Sequence, residues 1–130
     1  MHDDSIYNEP SSLLTKTSGP VATRKITKPW GHERLLVLTD QYCMKELTVD
    51  AGQRLSVQYH KHKMETLYCL KGEGKLYLDD ERFDLHEGVC IHIKPHAVHS
   101  IEAGTQTVIM EVSTPQIDDV VRVEDKYGRK

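Results

Sequence analysis

The sequence predicts an all-β fold, a double-sheet jelly-roll barrel, on three observations. Turn signals recur about every 7 to 11 residues from Ile26 onward, the spacing of a β-sandwich or barrel. No stretch before residue 115 keeps an apolar period of about 3.6 residues for three turns. Several of the breaks are short and contain glycine, the chemistry of antiparallel hairpins. Roughly nine short strands connected in this way fit two sheets packed face to face.

The predicted strands follow in order. The first three are 35–39, ending at Asp40-Gln41, then 43–49, ending at Asp50-Ala51-Gly52, then 55–60. Next come 66–70, stopped by Gly72-Glu73-Gly74, 75–78, turning at Asp79-Asp80, and 82–85, turning at His86-Glu87-Gly88. The last three are 89–93, ending at Pro95-His96, 98–101, ending at Ala103-Gly104, and 107–112, ending near Pro115. Residues 1–24 are polar and rich in Ser, Thr and Pro; they are expected to be an arm, flexible or swapped onto a partner as a strand, before one domain over 25–130. Segment 116–130 is charged, with Ile117, Val120, Val121 and Val123 among it, and suits a short helix or a closing strand. Trp30 is expected to be a packing anchor in a chain with one Phe.

A length of 130 residues is one ordinary domain, able to bury a core without disulfides or a structural metal. The formal charge of -3 argues against a phosphate backbone as partner, so no nucleic acid is expected. Apolar runs are too short for a membrane span. The acidic start Met1-His2-Asp3-Asp4 lacks a secretory signal, and a cytoplasmic location is expected. Cys43, Cys69 and Cys90, odd in number and without a Cys-x-x-Cys, are expected to be reduced, buried thiols.

Histidine is the unusual residue: six of the eight (His60, His62, His86, His92, His96, His99) fall between 60 and 99. Along 55–60 the residues alternate, so Leu55, Val57 and Tyr59 share one strand face and Arg54, Ser56, Gln58 and His60 the other, with His62 if the strand continues. Imidazoles two apart on a strand sit about 7 Å apart at Cβ, close enough to bind one ion. Glu65 follows three residues later and can fold back. A fourth ligand has to come from a strand paired in space, and His99 opens one after the Pro95 turn.

The series Gly52, His60-x-His62-x-x-Glu65, Gly72, then Gly88, Pro95 and His99 resembles the two motifs of the cupin superfamily. Lys28-Pro29-Trp30-Gly31, Arg54-Leu55-Ser56-Val57-Gln58, His99-Ser100-Ile101-Glu102 and the closing Val121-Arg122-Val123-Glu124-Asp125-Lys126-Tyr127-Gly128-Arg129 are similar to type II mannose-6-phosphate isomerases. The resemblance implies a cupin barrel whose divalent metal is held by His60, His62, Glu65 and His99. Zinc is the first choice for a redox-silent Lewis acid, with iron, manganese, cobalt and nickel compatible with the same ligands. It also implies a phosphosugar substrate, mannose-6-phosphate first, isomerised through an enediol to fructose-6-phosphate, and a homodimer. For the substrate, Arg54, Arg122 and Arg129 offer planar forks for phosphate and Gln58 a polar group on the ligand face. Candidates for the base are Lys94, His92, His96 and Glu111.

The ligand loop departs from the family's His-His-His-Arg-Ala-Glu-His: here it reads His60-Lys61-His62-Lys63-Met64-Glu65-Thr66, and Lys94-Pro95-His96 stands for Pro-Pro-Gly. The family domain is often joined to a sugar nucleotidyltransferase, whose Gly-rich start this sequence lacks. Two other functions use the same ligands: an iron(II) dioxygenase, and a sugar- or metal-binding module without turnover.

Overall fold

The computed structural model describes residues 10–129. The first nine residues of the expected arm and Lys130 lie outside the described residues. Eleven strands and a short 3-10 turn, Pro10–Leu13, make up the regular structure among the described residues, with no α-helix. The strands are β1 Arg24–Lys28, β2 Gly31–Leu38, β3 Cys43–Val49, β4 Val57–Tyr59, β5 Glu65–Lys71 and β6 Gly74–Leu78. They continue with β7 Glu81–Leu85, β8 Cys90–Ile93, β9 His99–Ala103, β10 Thr107–Ser113 and β11 Val121–Glu124. All nine expected strands are present, with ends shifted by at most four residues. The additions are β1, and β11, which resolves the ambiguous tail as a strand.

Two antiparallel sheets face each other, ordered β1-β2-β3-β10-β5-β8 and β11-β4-β9-β6-β7. Alternation decides which residues point between them. On β3 the inward set is Cys43, Lys45, Leu47 and Val49; on β10 it is Thr107, Ile109, Glu111 and Ser113; on β5 it is Glu65, Leu67 and Cys69. Leu76, Leu85, Ile101 and Ala103 answer from the other sheet and form the main core with Trp30, Leu47, Val49, Leu67 and Ile109. Trp30 is buried there, as a packing anchor should be.

A second apolar cluster joins Leu13, Ile26, Leu35, Leu38, Cys43 and Ile117. Leu13 packs onto the domain, and the Thr15 N–H donates to the Leu38 carbonyl at 2.6 Å. The described part of the arm is therefore seated on the barrel. Cys43 and Cys69 are buried free thiols as expected, whereas Cys90 is exposed: Ile91 and Ile93 take the more buried parity of β8, which turns Cys90 and His92 outward.

One glycine is required by close approach. At Gly31, where φ is +147°, a Cβ would lie 2.1 Å from the Thr48 carbonyl oxygen, so the turn into β2 can pass over β3 only without a side chain. Among the described residues no helix is long and apolar enough to cross a membrane.

Candidate metal centre and its cavity

Three of the four expected ligands meet. His60 directly follows β4, Glu65 opens β5 and His99 opens β9; their candidate ligand atoms all lie within 4.8 Å of one another, and the residues are 4%, 3% and 4% exposed. The pairing of Gln58 with His99 brings β4 and β9 into register here. Glu65 Oε1 lies 3.0 Å from His99 Nε2 and 3.7 Å from His60 Nε2.

The other nitrogen of each ring is committed to the backbone. His60 Nδ1 donates to the Asp119 carbonyl and His99 Nδ1 to the Ala97 carbonyl at 2.9 Å. Those acceptors assign the tautomer in which each neutral Nε2 presents a lone pair to the cluster. Both Nε2 atoms are buried without a hydrogen-bond partner. Two lone pairs and a carboxylate with no donor among them are costly when buried, and a transition-metal cation with imidazole and carboxylate ligands satisfies all three. Burial works to raise the Glu65 carboxyl, but the Lys63 ammonium and the contacts with His60 and His99 hold it well below the usual range. Burial lowers His99, and its contacts with Glu65 reverse this and leave it raised.

His62 does not join them. The expectation that it shares a strand face with His60 fails because β4 ends at Tyr59, and residues 60–64 form a loop to which a strand's two-residue period does not apply. Asp119 shapes that loop: its carboxylate accepts the N–H groups of Lys61, His62 and Lys63 at 3.1, 2.6 and 3.0 Å. His62 is left exposed and Lys63 is turned inward and buried.

Lys63 Nζ lies 3.2 Å from Glu65 Oε2 and 3.0 Å from Glu111 Oε2. It belongs to a strip of alternating charge that crosses the inner face of the larger sheet between the two apolar clusters. Further along, Glu33 bridges Lys28 at 3.3 Å and Lys45 at 3.1 Å, and Lys45 is paired in register with Glu111. Burial lowers the Lys45 ammonium, and Glu33 and Glu111 more than reverse it, so Lys45 stays charged. The strip forms one wall of a cavity of about 230 Å³. His60, Gln58, Arg122 and Arg129 line it as well, and a small recess lined by Glu65, His99 and Glu111 shares Ser56 and Gln58 with it.

The remaining expected site residues divide between cavity and surface. Gln58 accepts the Ser56 hydroxyl at 2.7 Å, and Arg129 is held by Asp125 through Nε at 3.1 Å and Nη2 at 3.2 Å. Arg54 does not reach the cavity; it is partly exposed beside Glu124. Of the four base candidates Glu111 alone lines the cavity. His92 lies on the outer face against Thr66, while Lys94 and His96 sit exposed in the β8–β9 turn.

A family model described as mannose-6-phosphate isomerase C-terminal matches residues 17–125. The chain belongs to that family. A mannose-1-phosphate guanylyltransferase of Escherichia coli K12 is 35% identical over 111 residues, covering 82% of this chain and 23% of that protein. The alginate biosynthesis protein AlgA of Pseudomonas aeruginosa is 31% identical over 111 residues, covering 81% of this chain and 23% of that protein. The chain thus spans only a minor part of the curated relatives it matches. An RmlC-like cupin from Shewanella frigidimarina superposes with a TM-score of 0.71 at 18% identity, covering 82% of this chain and 96% of that one. The fold is a cupin.

In this mannose-6-phosphate isomerase C-terminal domain, sequence reading alone does not place Glu33, Lys45, Asp119 or Lys63 at the site. A signal for the first two exists: Lys45 sits between Cys43 and Leu47, and Glu33 two before Leu35, on the apolar parity of their strands. Asp119 gave none, because its partners are backbone groups more than fifty residues away.

The Asp125–Arg129 clasp yields a pH prediction. Burial tends to raise the Asp125 carboxyl, and the Arg129 bonds and charge outweigh it and leave it lowered. A depressed carboxyl stabilises the fold above its unfolded value near ~3.9 and loses that contribution as pH falls through the folded value. Arg129→Ala is therefore expected to cost about 1–2 kcal/mol at pH 7, with the gap from wild type closing below about pH 4 in urea melts.

Proposed function

We propose that this domain is a metal-dependent isomerase of a phosphorylated hexose, converting mannose-6-phosphate to fructose-6-phosphate. The observation that carries the reading is the cavity and its recess: His60, the buried carboxylate of Glu111 and two arginines line the cavity, and Glu65 and His99 line the recess that Glu111 shares with it. The isomerase name of the matching family supports this choice over an iron(II) dioxygenase. The activities named for the longer relatives are those of proteins of which this chain matches 24% and 23%.

His60, Glu65 and His99 would hold the metal. When bound, a zinc-like ion supplies Lewis acidity that polarises the sugar's carbonyl or hydroxyl oxygen. The protein's own groups handle the rest. Lys63 fixes Glu111 through Oε2, leaving Oε1 to take the proton from C2 of the open-chain aldose and return it to C1 of the enediol, while the O2 hydroxyl proton passes to O1. Gln58, its carbonyl oxygen held by Ser56, turns its amide nitrogen to a sugar hydroxyl. Arg122 and Arg129, on the wall built by the C-terminal segment, pair with the phosphate.

Metal-loaded protein is expected to produce fructose-6-phosphate from mannose-6-phosphate. Glu111→Gln should lower kcat by about 10²-fold or more while keeping metal content. Absence of product with zinc, manganese and cobalt in turn would overturn the assignment.

A further inference from the structure

We propose that Asp119 is the positioning residue of the metal centre, anchoring the ligand loop and setting the His60 tautomer from the far end of the chain. The inference rests on the reading of His60, Glu65 and His99 as ligands and extends it to a residue outside the ligand set.

Loop 60–64 has little of its own to hold it. Lys61, His62 and Met64 are exposed, and no strand ladder reaches the N–H groups of residues 61–63. Asp119 answers all three with one carboxylate. Three successive N–H groups turned toward one point form a concave anion site, here filled by a side chain of the protein itself. The same residue's backbone carbonyl accepts the hydrogen bond from His60 Nδ1–H, which turns Nε2 toward Glu65. One residue thus governs both the path of the loop and the orientation of a ligand ring.

The neighbourhood fixes Asp119 in turn. Thr114 ties the other end of the loop, accepting the Met64 N–H at Oγ1 and donating its own N–H to the Met64 carbonyl, both at 3.0 Å. Beyond Asp119 the chain enters β11, where Val121 pairs with Tyr59 and Arg122 with Gln58. Segment 114–122 therefore clips the loop at both ends and docks beside the strand that leads into His60. Outer partners of this kind orient metal ligands, and their loss costs about 10–100-fold in affinity.

The test titrates Co²⁺ into the full chain, following heat and visible absorption, beside hydrogen exchange of the amides of residues 61–63. Asp119→Ala is expected to bind Co²⁺ about 10–100-fold more weakly, with an altered ligand-field spectrum and faster exchange at those amides. Asp119→Asn should fall between, since its single carbonyl oxygen replaces two carboxylate acceptors. The control Asp84→Ala, which removes an exposed partner of Lys75, should match wild type. Wild-type affinity, spectrum and exchange in Asp119→Ala would overturn the proposal. If that variant fails to fold by circular dichroism, the same three readouts on Asp119→Asn decide. If wild type itself binds no Co²⁺, the metal reading falls, and the exchange rates alone decide whether Asp119 anchors the loop.

Discussion

Wild-type protein is expected to leave purification with a bound transition metal and His62→Ala to keep it, whereas His60→Ala and His99→Ala are expected to lose it. Metal analysis and Co²⁺ titration read this directly. The first two variants each remove an imidazole whose Nε2 has no other partner, so a loss of affinity beyond the roughly 10–100-fold of an outer residue is expected. His62 projects from the loop toward solvent, and its N–H, the one group Asp119 uses, survives truncation to alanine. The contrast separates two ligand sets: His60-x-His62 read as a strand, and His60, Glu65 and His99 as the fold assembles them. Equal loss in all three histidine variants would refute the three-residue centre.

Lys63→Met is expected to be the most destabilising single change in the cavity. Burial presses the Lys63 ammonium toward neutrality, and Glu111 and Glu65 outweigh it, so the group stays charged. Replacing it with an apolar chain leaves two buried carboxylates facing each other with no cation between. Breaking a buried pair this way costs about 3–5 kcal/mol, which for a domain of this size lowers Tm by about 10 °C or more. Two rescues follow from the same electrostatics. Adding Glu111→Gln to Lys63→Met removes one of the stranded charges and should recover part of the loss in a double-mutant cycle. A bound divalent ion neutralises Glu65, so the deficit measured by calorimetry should shrink when metal is supplied. A Tm for Lys63→Met equal to that of wild type would show that the strip contributes nothing to stability.

The barrel was legible because its turns are marked by residues with local causes. Gly72 and Gly88 at positive φ, and the Asp79-Asp80 hairpin with Asp79 at φ 51°, announce themselves in sequence. β11 was ambiguous because its four residues are half exposed and only their pairing with Tyr59, Gln58 and Val57 makes them a strand. That His60, Glu65 and His99 come together was legible because each stands beside a strand end. His62 stands outside the cluster because β4 ends at Tyr59, three residues before it, so strand parity does not reach it. Lys63 and Asp119 were not legible as site residues: one depends on a loop turning inward, the other on backbone donors that no side-chain pattern reveals.

The strip of alternating charge has a bearing on how the strands find one another. Lys28, Glu33, Lys45, Glu111 and Glu65 come from five different strands of one sheet, so their neutralisation holds for a single alignment. Sliding β3 by one residue would send Lys45 to the outside and bring either Met44 or Glu46 in, stranding Glu33 and Glu111 or crowding them with a third carboxylate. Apolar contacts forgive such errors more readily, since one aliphatic chain can stand in for another. Here a misthreaded sheet incurs several kcal/mol of unpaired charge, and the polar strip proofreads the assembly of the barrel that houses it.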